Sequence, residues 1–446
     1  MKRTADPRAG RPNLTTRAGI SLATLICALA TATGTGVADP AATGCAQPHW
    51  VGSWAMGPSD ASPVSDMSLT PITSLFDQTY RIVVTPHLSG RTVRVHLTNK
   101  QSPLPVTFGA VTIARQAQGA AIQPGTLRVV TFGGGRSTTV APGADVISDP
   151  IQLSVNGFEP LAISIYVPGQ SAAATENIIS LSTSYYGPPG SGDRTADPDG
   201  SALSMHTTAA LWAGEVDVLA PPRYSSLVAM GDSIGTGYEG ATYYEGPQDP
   251  AVVDRNLRYT DFLQHRLDAA GIPVSVLNSS IWGNRVLQGE TAPQTGPSAL
   301  SRLRHDAIDV AGIRDVIFEM GTNDLAFPPT STPDQLIAGY IDVIDRLHAA
   351  GIRVHLTTIP PSVHSWIAGG LAPRSDPLRQ QVNQWIRTQR LSDSVIDFDA
   401  VLRDPADPSA DRPDIVSPTL VHPNPKGHKM MADVIDIGKF QGSQCR

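Results

Sequence analysis

Three short stretches of this 446-residue chain carry side chains whose types and order suit nucleophilic chemistry. The first is Ser226-Leu-Val-Ala-Met-Gly-Asp-Ser-Ile-Gly-Thr-Gly-Tyr238. Leu227 to Met230 is a short apolar run, and the Gly/Asp/Ser/Gly/Thr/Gly cluster after it cannot continue a strand. The pattern therefore reads strand, tight turn, helix start. Such a turn sets Ser233 at the C-terminal edge of a sheet, where its hydroxyl can meet a ligand and first-turn N–H groups can face developing negative charge. A serine held there is a candidate nucleophile, although an ordinary glycine-rich βα turn has the same composition. The second stretch, Asp315-Val-Ile-Phe-Glu-Met-Gly-Thr-Asn-Asp324, is again an apolar strand closed by a polar turn. In the third, Val421-His-Pro-Asn-Pro-Lys-Gly-His428, a histidine stands just before a helix start. Asn424 suits the N-cap and Pro425 the first helical position, so His422 is held on a fixed turn.

With Asn278-Ser-Ser-Ile-Trp-Gly-Asn-Arg285, these stretches reproduce in order the four blocks of the SGNH (GDSL-type) serine hydrolases. The chain resembles that family from about Pro222 to its end. The resemblance implies ester hydrolysis through an acyl-enzyme, with no metal and no cofactor. Ser233 is then the nucleophile and His422 the general base and acid. The oxyanion hole is formed by the backbone N–H groups of Ser233 and Gly283 and the side-chain amide of Asn323. These are neutral donors that need no reorganisation as charge appears, each typically worth about 3 to 4 kcal/mol. Glycine at 283 lets a substrate approach the backbone closely.

One position departs from the family pattern. Most members carry an aspartate three residues before the histidine to hold the imidazole tautomer, whereas Ser417-Pro-Thr-Leu-Val-His422 places Thr419 there. The expectation is a Ser/His dyad with a backbone carbonyl orienting the ring. Thr419 itself, or Asp414, Asp411 or Asp399 from the preceding loop, are the other candidate orienting groups. Asp232 and Asp324 read as braces for their turns, and His428 as helix surface. Gly231-Asp-Ser-Ile-Gly235 also fits the G-x-S-x-G elbow of α/β-hydrolases, but that fold sets its nucleophile after several strands of the same sheet. Here the strand at Ser226 opens its domain.

Around these blocks the chain divides in three. Residues 1–38 read as a secretory signal: Lys2, Arg3, Arg8, Arg11 and Arg17 precede the apolar Ala18 to Ala30, and Gly36-Val37-Ala38 offers a small-x-small cleavage site. That apolar run is too short to span a bilayer, so the expected location is secreted or extracellular, without stable membrane insertion. Cleavage removes five positive charges and one negative, moving the formal net charge from −7 to −11. An acidic chain without a basic tract argues against nucleic acid as a partner. Cys45 and Cys445 remain, one near each end, and in an oxidising compartment the pair suggests a disulfide.

From residue 46 to 220, short β-type runs alternate with Gly/Pro/Asn/Asp turns, as in Val93-Arg-Val-His-Leu97 and Ile163-Ser-Ile-Tyr-Val167. They predict a β-sandwich of jelly-roll type with one wet face per sheet. From 222 to 440, five strand candidates, the last at Val395 to Phe398, alternate with helix candidates at Arg258 to Ala270, Ser298 to Ala311, Pro333 to Ala350, Pro377 to Arg390 and Pro425 to Ile435. That rhythm predicts a three-layer, flavodoxin-like α/β/α domain around a parallel sheet. Two long segments could shape substrate choice: Glu239 to Arg258, with Tyr243 and Tyr244, and Pro360 to Pro377, with Trp366. These aromatics and Trp282 could stack on a sugar ring or line an acyl slot. The expected substrate is an acylated carbohydrate or a lipid; a β-sandwich ahead of an SGNH domain resembles some carbohydrate esterases and is common among secreted bacterial lipase-like proteins. The rival expectation, prompted by the missing aspartate, is a weak or inactive hydrolase scaffold that binds a glycan or a surface.

Overall fold

Every residue of strand β1, Ser225–Gly231, is buried. Val228 and Met230 join one apolar core and Leu227 and Ala229 another. A strand buried on both faces is what helices packed on either side of a parallel sheet produce. The computed structural model describes residues 47–443 apart from residues 64–70, 73–74, 172, 241–248, 290–291, 327–330 and 366–371. The proposed signal, Cys45, Cys445, Tyr243, Tyr244 and Trp366 lie outside the described residues. Among those described, no helix is long and apolar enough to cross a membrane.

The sheet adds β2 (Val274–Asn278), β3 (Ile313–Glu319), β4 (Arg353–Thr357) and β5 (Ser394–Ile396), all parallel, in the order β2-β1-β3-β4-β5. The helices are α1 (Ser233–Thr236), α2 (Tyr259–Ala269), α3 (Ala299–Leu303), α4 (Thr322–Ala326), α5 (Pro333–Ala349), α6 (Ala372–Thr388), α7 (Phe398–Leu402) and α8 (Pro425–Val434). One face of the sheet packs against Leu336 and Tyr340 of α5 and Val382 and Ile386 of α6. The other packs against Leu263 and Leu267 of α2 and Met431 of α8. Because β2 and β3 flank β1 on opposite sides, the chain reverses its direction of winding there. The C-terminal end of β1 is thus the switch point at which such sheets bind ligands.

Three elements differ from the sequence expectation. The helix expected over Ser298 to Ala311 stops at Leu303, and Arg304–Ile308 winds as a π turn. There Asp306 turns inward to accept from Arg302 Nη1 at 2.6 Å. Helix α6 begins at Ala372 and carries Pro377 in its second turn, where the ring forfeits only one backbone bond. Phe398, expected to end a strand, instead starts α7, because the Asp397 carboxylate caps it by accepting the Ala400 N–H.

Before β1 lie two large antiparallel sheets and two two-stranded ones. The first comprises His49–Ala55, Ala213–Ala220, Gly90–Thr98, Asp145–Ile147 and Ile151–Val155, and the second is six-stranded around Leu75–Val84 and Leu161–Ser171. The inward residues of the two alternating runs, Val93, Val95 and Leu97 against Ile163, Ile165 and Val167, share one core with Phe108 and Trp212. Strand His49–Ala55, which the pattern did not single out, docks this sandwich on the α/β domain. Gly52 N–H lies within hydrogen-bond reach of both Ser226 Oγ (3.0 Å) and the Ala311 carbonyl (2.9 Å). Asn177 Nδ2 donates to the carbonyls of Gly57 (2.8 Å) and Ser280 (3.0 Å). His87 bridges the Val276 carbonyl and Asp261.

The contact is close enough to require glycine at 57, where a Cβ would stand 2.8 Å from the Ser279 carbonyl oxygen. Gly57→Val is therefore expected to destabilise the chain by about 1–3 kcal/mol, the usual cost of overpacking. Urea unfolding checks this, and an unchanged midpoint would show that the interface yields freely.

Candidate active site

The turn after β1 is shaped by what lies beneath it. A Cβ on Gly231 would come 2.6 Å from Glu319 Oε2, and one on Gly235 would come 2.3 Å from Ser280 Oγ. Two glycines of the Gly-Asp-Ser-Ile-Gly run thus make room for a buried carboxyl and a buried hydroxyl. Asp232 caps the single-turn helix α1, its Oδ1 accepting the Ile234 N–H at 2.9 Å. Gly237, in the left-handed region, closes it. Ser233 is left 8 % exposed at the switch point.

His422 arrives from the loop before α8. Asn424 Oδ1 caps that helix by accepting the N–H groups of Lys426 and Gly427. The Ser417 N–H donates to the His422 carbonyl at 2.8 Å. These ties hold the imidazole with Nε2 2.9 Å from Ser233 Oγ and Nδ1 2.8 Å from Thr419 Oγ1. The Tyr238 ring meets it edge-on, centroids 4.9 Å apart. Burial, reinforced by nearby His428, lowers the His422 pKa to about 3.

The group that meets Nδ1 is therefore a side-chain hydroxyl, not the backbone carbonyl expected for a dyad. Asp414, the alternative, is taken by Lys426 and Arg412 on the exposed side of the loop. Asp399 holds Arg379, Arg387 and Arg403. Burial raises Asp411 well above the usual carboxylate range. His428, expected on the surface, is 3 % exposed, and its Nδ1 faces the Tyr259 N–H at 3.3 Å.

The loop after β2 reaches the same place. Ser279 and Ile281 donate backbone hydrogen bonds to the carbonyls of Ala229 and Gly231, and Asn278 Nδ2 donates to the Gly235 carbonyl at 2.7 Å. Gly283 has φ +66, and a Cβ there would sit 2.7 Å from Thr295 Cγ2. Asn323, in α4, donates through Nδ2 to Asp232 Oδ2 (3.3 Å) and the Asn284 carbonyl (3.1 Å). The three elements that bear Ser233, Gly283 and Asn323 are thus bonded to one another directly. Asp324 accepts the backbone N–H groups of Val286 and Leu287. Burial raises Asp232 to about 7 and Asp324 to about 6. Both bind backbone N–H groups, as braces would.

Sequence reasoning missed Arg302. Its buried guanidinium donates to the Ser279 carbonyl (2.6 Å), Asn284 Oδ1 (3.1 Å), the Gly231 carbonyl (3.3 Å) and Asp306. In the sequence it reads as half of an ordinary i,i+4 pair on a helix surface, and nothing local reveals that this surface faces inward. Trp282 is half-buried and packs on a small cluster of Ile178, Ile179, Leu181, Tyr238 and Val252. The first three come from the sandwich region, so that region supports the rim of the site. A cleft of about 690 Å³ lies elsewhere between the domains, lined by His96, Lys100, Glu215, Arg302 and His305. Among the described residues, the metal-type ligands that converge are His96, Glu215 and Asp217. They stand on sandwich strands, where Asp217 already binds Arg94 and His96.

A parallel α/β/α sheet with a serine turn at its switch point and a histidine brought to that serine is the architecture of an ester hydrolase. Residues 229–430 match the model of the GDSL-like Lipase/Acylhydrolase family. Similar solved structures include a GDSL-like lipase from Bacteroides thetaiotaomicron (17% identity, 48% of this chain and 87% of that one, TM-score 0.35). The inhibitor-bound aryl esterase of M. smegmatis shares 16% identity over 47% of this chain and 96% of its own, with a TM-score of 0.36. A family two carbohydrate esterase from Clostridium thermocellum, in complex with cellohexaose, shares 13% identity over 80% of this chain and 88% of its own, with a TM-score of 0.34. No curated protein sequence matches the chain.

The lowered His422 pKa has a definite sign. The unfolded histidine takes its proton near 6.5 while the folded one stays neutral to about 3. The imidazole therefore stays neutral as pH falls, while folding stability is withdrawn across the same interval. The acid limb of kcat/KM is expected well below pH 6.5, and Thr419→Asp, which sets a carboxylate beside Nδ1, is expected to move it upward. A titrimetric pH profile of both proteins checks this; a wild-type limb at 6.5 or above would contradict it.

Proposed function

We propose that the chain is a secreted serine carboxylic-ester hydrolase whose cycle runs through an acyl-enzyme on Ser233. The observation that carries this reading is the 2.9 Å contact between Ser233 Oγ and His422 Nε2, with the far ring nitrogen engaged by Thr419. In the first half-reaction Ser233 Oγ attacks the ester carbonyl carbon as its proton passes to Nε2. The carbonyl π pair moves onto the oxygen, which the N–H groups of Ser233 and Gly283 and the Asn323 amide receive. The tetrahedral intermediate collapses, and the leaving alcohol takes the proton from Nε2. Water, deprotonated by the same nitrogen, then attacks the acyl carbonyl and releases the acid and free Ser233. For Asn323 to serve, its Nδ2 must turn part of its donation from Asp232 or the Asn284 carbonyl toward the oxyanion.

The substrate class we infer is an acylated carbohydrate or a lipid ester. A p-nitrophenyl series of increasing acyl length separates these, since a carbohydrate deacetylase falls off sharply beyond acetyl and a lipase does not. The hydroxyl bonded to the ring in the place of the aspartate supports an active hydrolase over an inactive scaffold.

Ser233→Ala and His422→Ala are each expected to lower turnover of p-nitrophenyl acetate by about three orders of magnitude or more. A fluorophosphonate probe should label the wild-type protein and not Ser233→Ala. Wild-type turnover in Ser233→Ala, or no labelling of folded wild-type protein, would overturn the reading.

A further inference from the structure

We propose that Ser417 is a positioning residue that, acting through Thr419, selects the tautomer in which His422 can serve as a base. The proposal rests on the assignment of Ser233 and His422 above. For Nε2 to take the serine proton it must be bare, so the ring proton must sit on Nδ1, which faces Thr419 Oγ1 at 2.8 Å. An aspartate in that place only accepts and imposes this tautomer by its chemistry. A hydroxyl can accept or donate. If Thr419 donated to Nδ1, the ring proton would move to Nε2 and point at Ser233 Oγ, leaving the serine without a base. The direction of one O–H bond thus decides whether the pair is competent.

Ser417 is the partner through which that direction is set. Its Oγ lies 2.7 Å from Thr419 Oγ1, and the Thr419 N–H is also directed at it, at 3.4 Å. Either hydroxyl of this pair can donate to the other, but a competent Nδ1–H ring requires the Thr419 proton to point away from Nδ1, and Ser417 Oγ is the acceptor in reach of it. A proton given to Ser417 is unavailable to Nδ1, so Thr419 Oγ1 turns a lone pair to the ring. All three side chains are nearly removed from solvent: Ser417 2 %, Thr419 0 %, His422 2 %. Aligned hydroxyl dipoles strengthen one another in such surroundings.

The alignment also bears on the transition state. As the Ser233 proton moves to Nε2, the Oγ lone pair forms the bond to carbon and the carbonyl π pair goes to its oxygen. The Nδ1 proton stays on the ring, which becomes an imidazolium facing Thr419 Oγ1. The groups facing that ring are the Ser233 and Thr419 hydroxyls and the Tyr238 edge, with neutral His428 the nearest titratable group acting on it. The positive charge is therefore met by oriented hydroxyl oxygen, not by a carboxylate.

The test uses full-length protein. The ¹⁵N imidazole signals of His422, identified by their loss in His422→Gln, are expected to show the Nδ1–H form near neutral pH. Ser417→Ala is expected to shift them toward a mixture with the Nε2–H form and to lower kcat by about tenfold or more with little change in KM. Ser417→Thr, which restores a hydroxyl, is expected to recover most of the loss. An Nε2–H ring in the wild-type protein, or Ser417→Ala with wild-type kcat and tautomer, would overturn the proposal. Should Ser417→Ala fail to fold, the wild-type spectrum still decides. If the probe labels Ser233 and Ser417→Ala behaves as wild type, this inference falls and the nucleophile assignment stands; if wild-type protein is not labelled, that assignment falls first.

Discussion

A single buried guanidinium ties the turn that bears Ser233 to the loop that bears Gly283. Arg302, in α3, donates to the carbonyl that ends β1, to the carbonyl that begins the loop of Gly283, and to the side chain of Asn284. Each of those acceptors is buried and would bear a desolvation penalty if left unmet. Asp306 balances the charge, and His305 ties Asp306 to Asp145 of the sandwich. A line of ion pairs thus runs from the domain boundary to the turn that carries Ser233. A buried charge pair of this kind contributes little net stability; its role is to set the relative position of two loops.

The charge around the site is distributed unusually. Carboxyls crowd beneath the Ser233 turn, where Asp232, Glu319 and Asp324 are buried and all have raised pKa values. Asp232 and Asp324 accept backbone N–H groups, and the glycines at 231 and 235 leave room for the Glu319 carboxyl. On the other side of Ser233, where a carboxylate would ordinarily support the histidine, the described residues present the hydroxyls of Thr419 and Ser417. The effect is an imidazole that is hard to protonate and depends on geometry for its tautomer. A carboxylate holds a histidine by charge and tolerates small misalignment; a hydroxyl holds it only through a correctly directed bond.

The sandwich is part of the same structure. Strand His49–Ala55 lies against β1 and β2, and glycines at 52 and 57 permit backbone approaches that side chains would block. Asn177 ties the sandwich region to the Ser280 carbonyl on the loop that bears Gly283, and Ile178, Ile179 and Leu181 pack beside Tyr238 and Trp282. The sandwich region thus packs against Tyr238, whose ring meets His422.

Much of this was legible in the chain itself. Apolar runs ending in Gly-Asp-Ser and Gly-Thr-Asn-Asp announce strands that stop at a ligand-binding edge, and Asn424-Pro425 announces a capped helix behind His422, because turn and cap chemistry are local. Alternation in Val93 to Leu97 and Ile163 to Val167 likewise reveals a sheet with one buried face. What the sequence by itself could not decide was anything depending on which surface faces inward. The helix expected over Ser298 to Ala311 breaks into a π turn around Arg302 and Asp306, whose pairing looks like a solvated one in linear order. His428 reads as surface and is buried. The partner of His422 Nδ1 was left open among Thr419, three aspartates and a backbone carbonyl, since each lies within reach along the loop. Only the folded loop, with Leu420 at φ +58 and Ser417 bonded back to residue 422, brings Thr419 to the ring and turns Asp414 away. Periodicity and turn chemistry act over a few residues and are written locally, whereas hydrogen-bond partners across the site arise from three-dimensional closure.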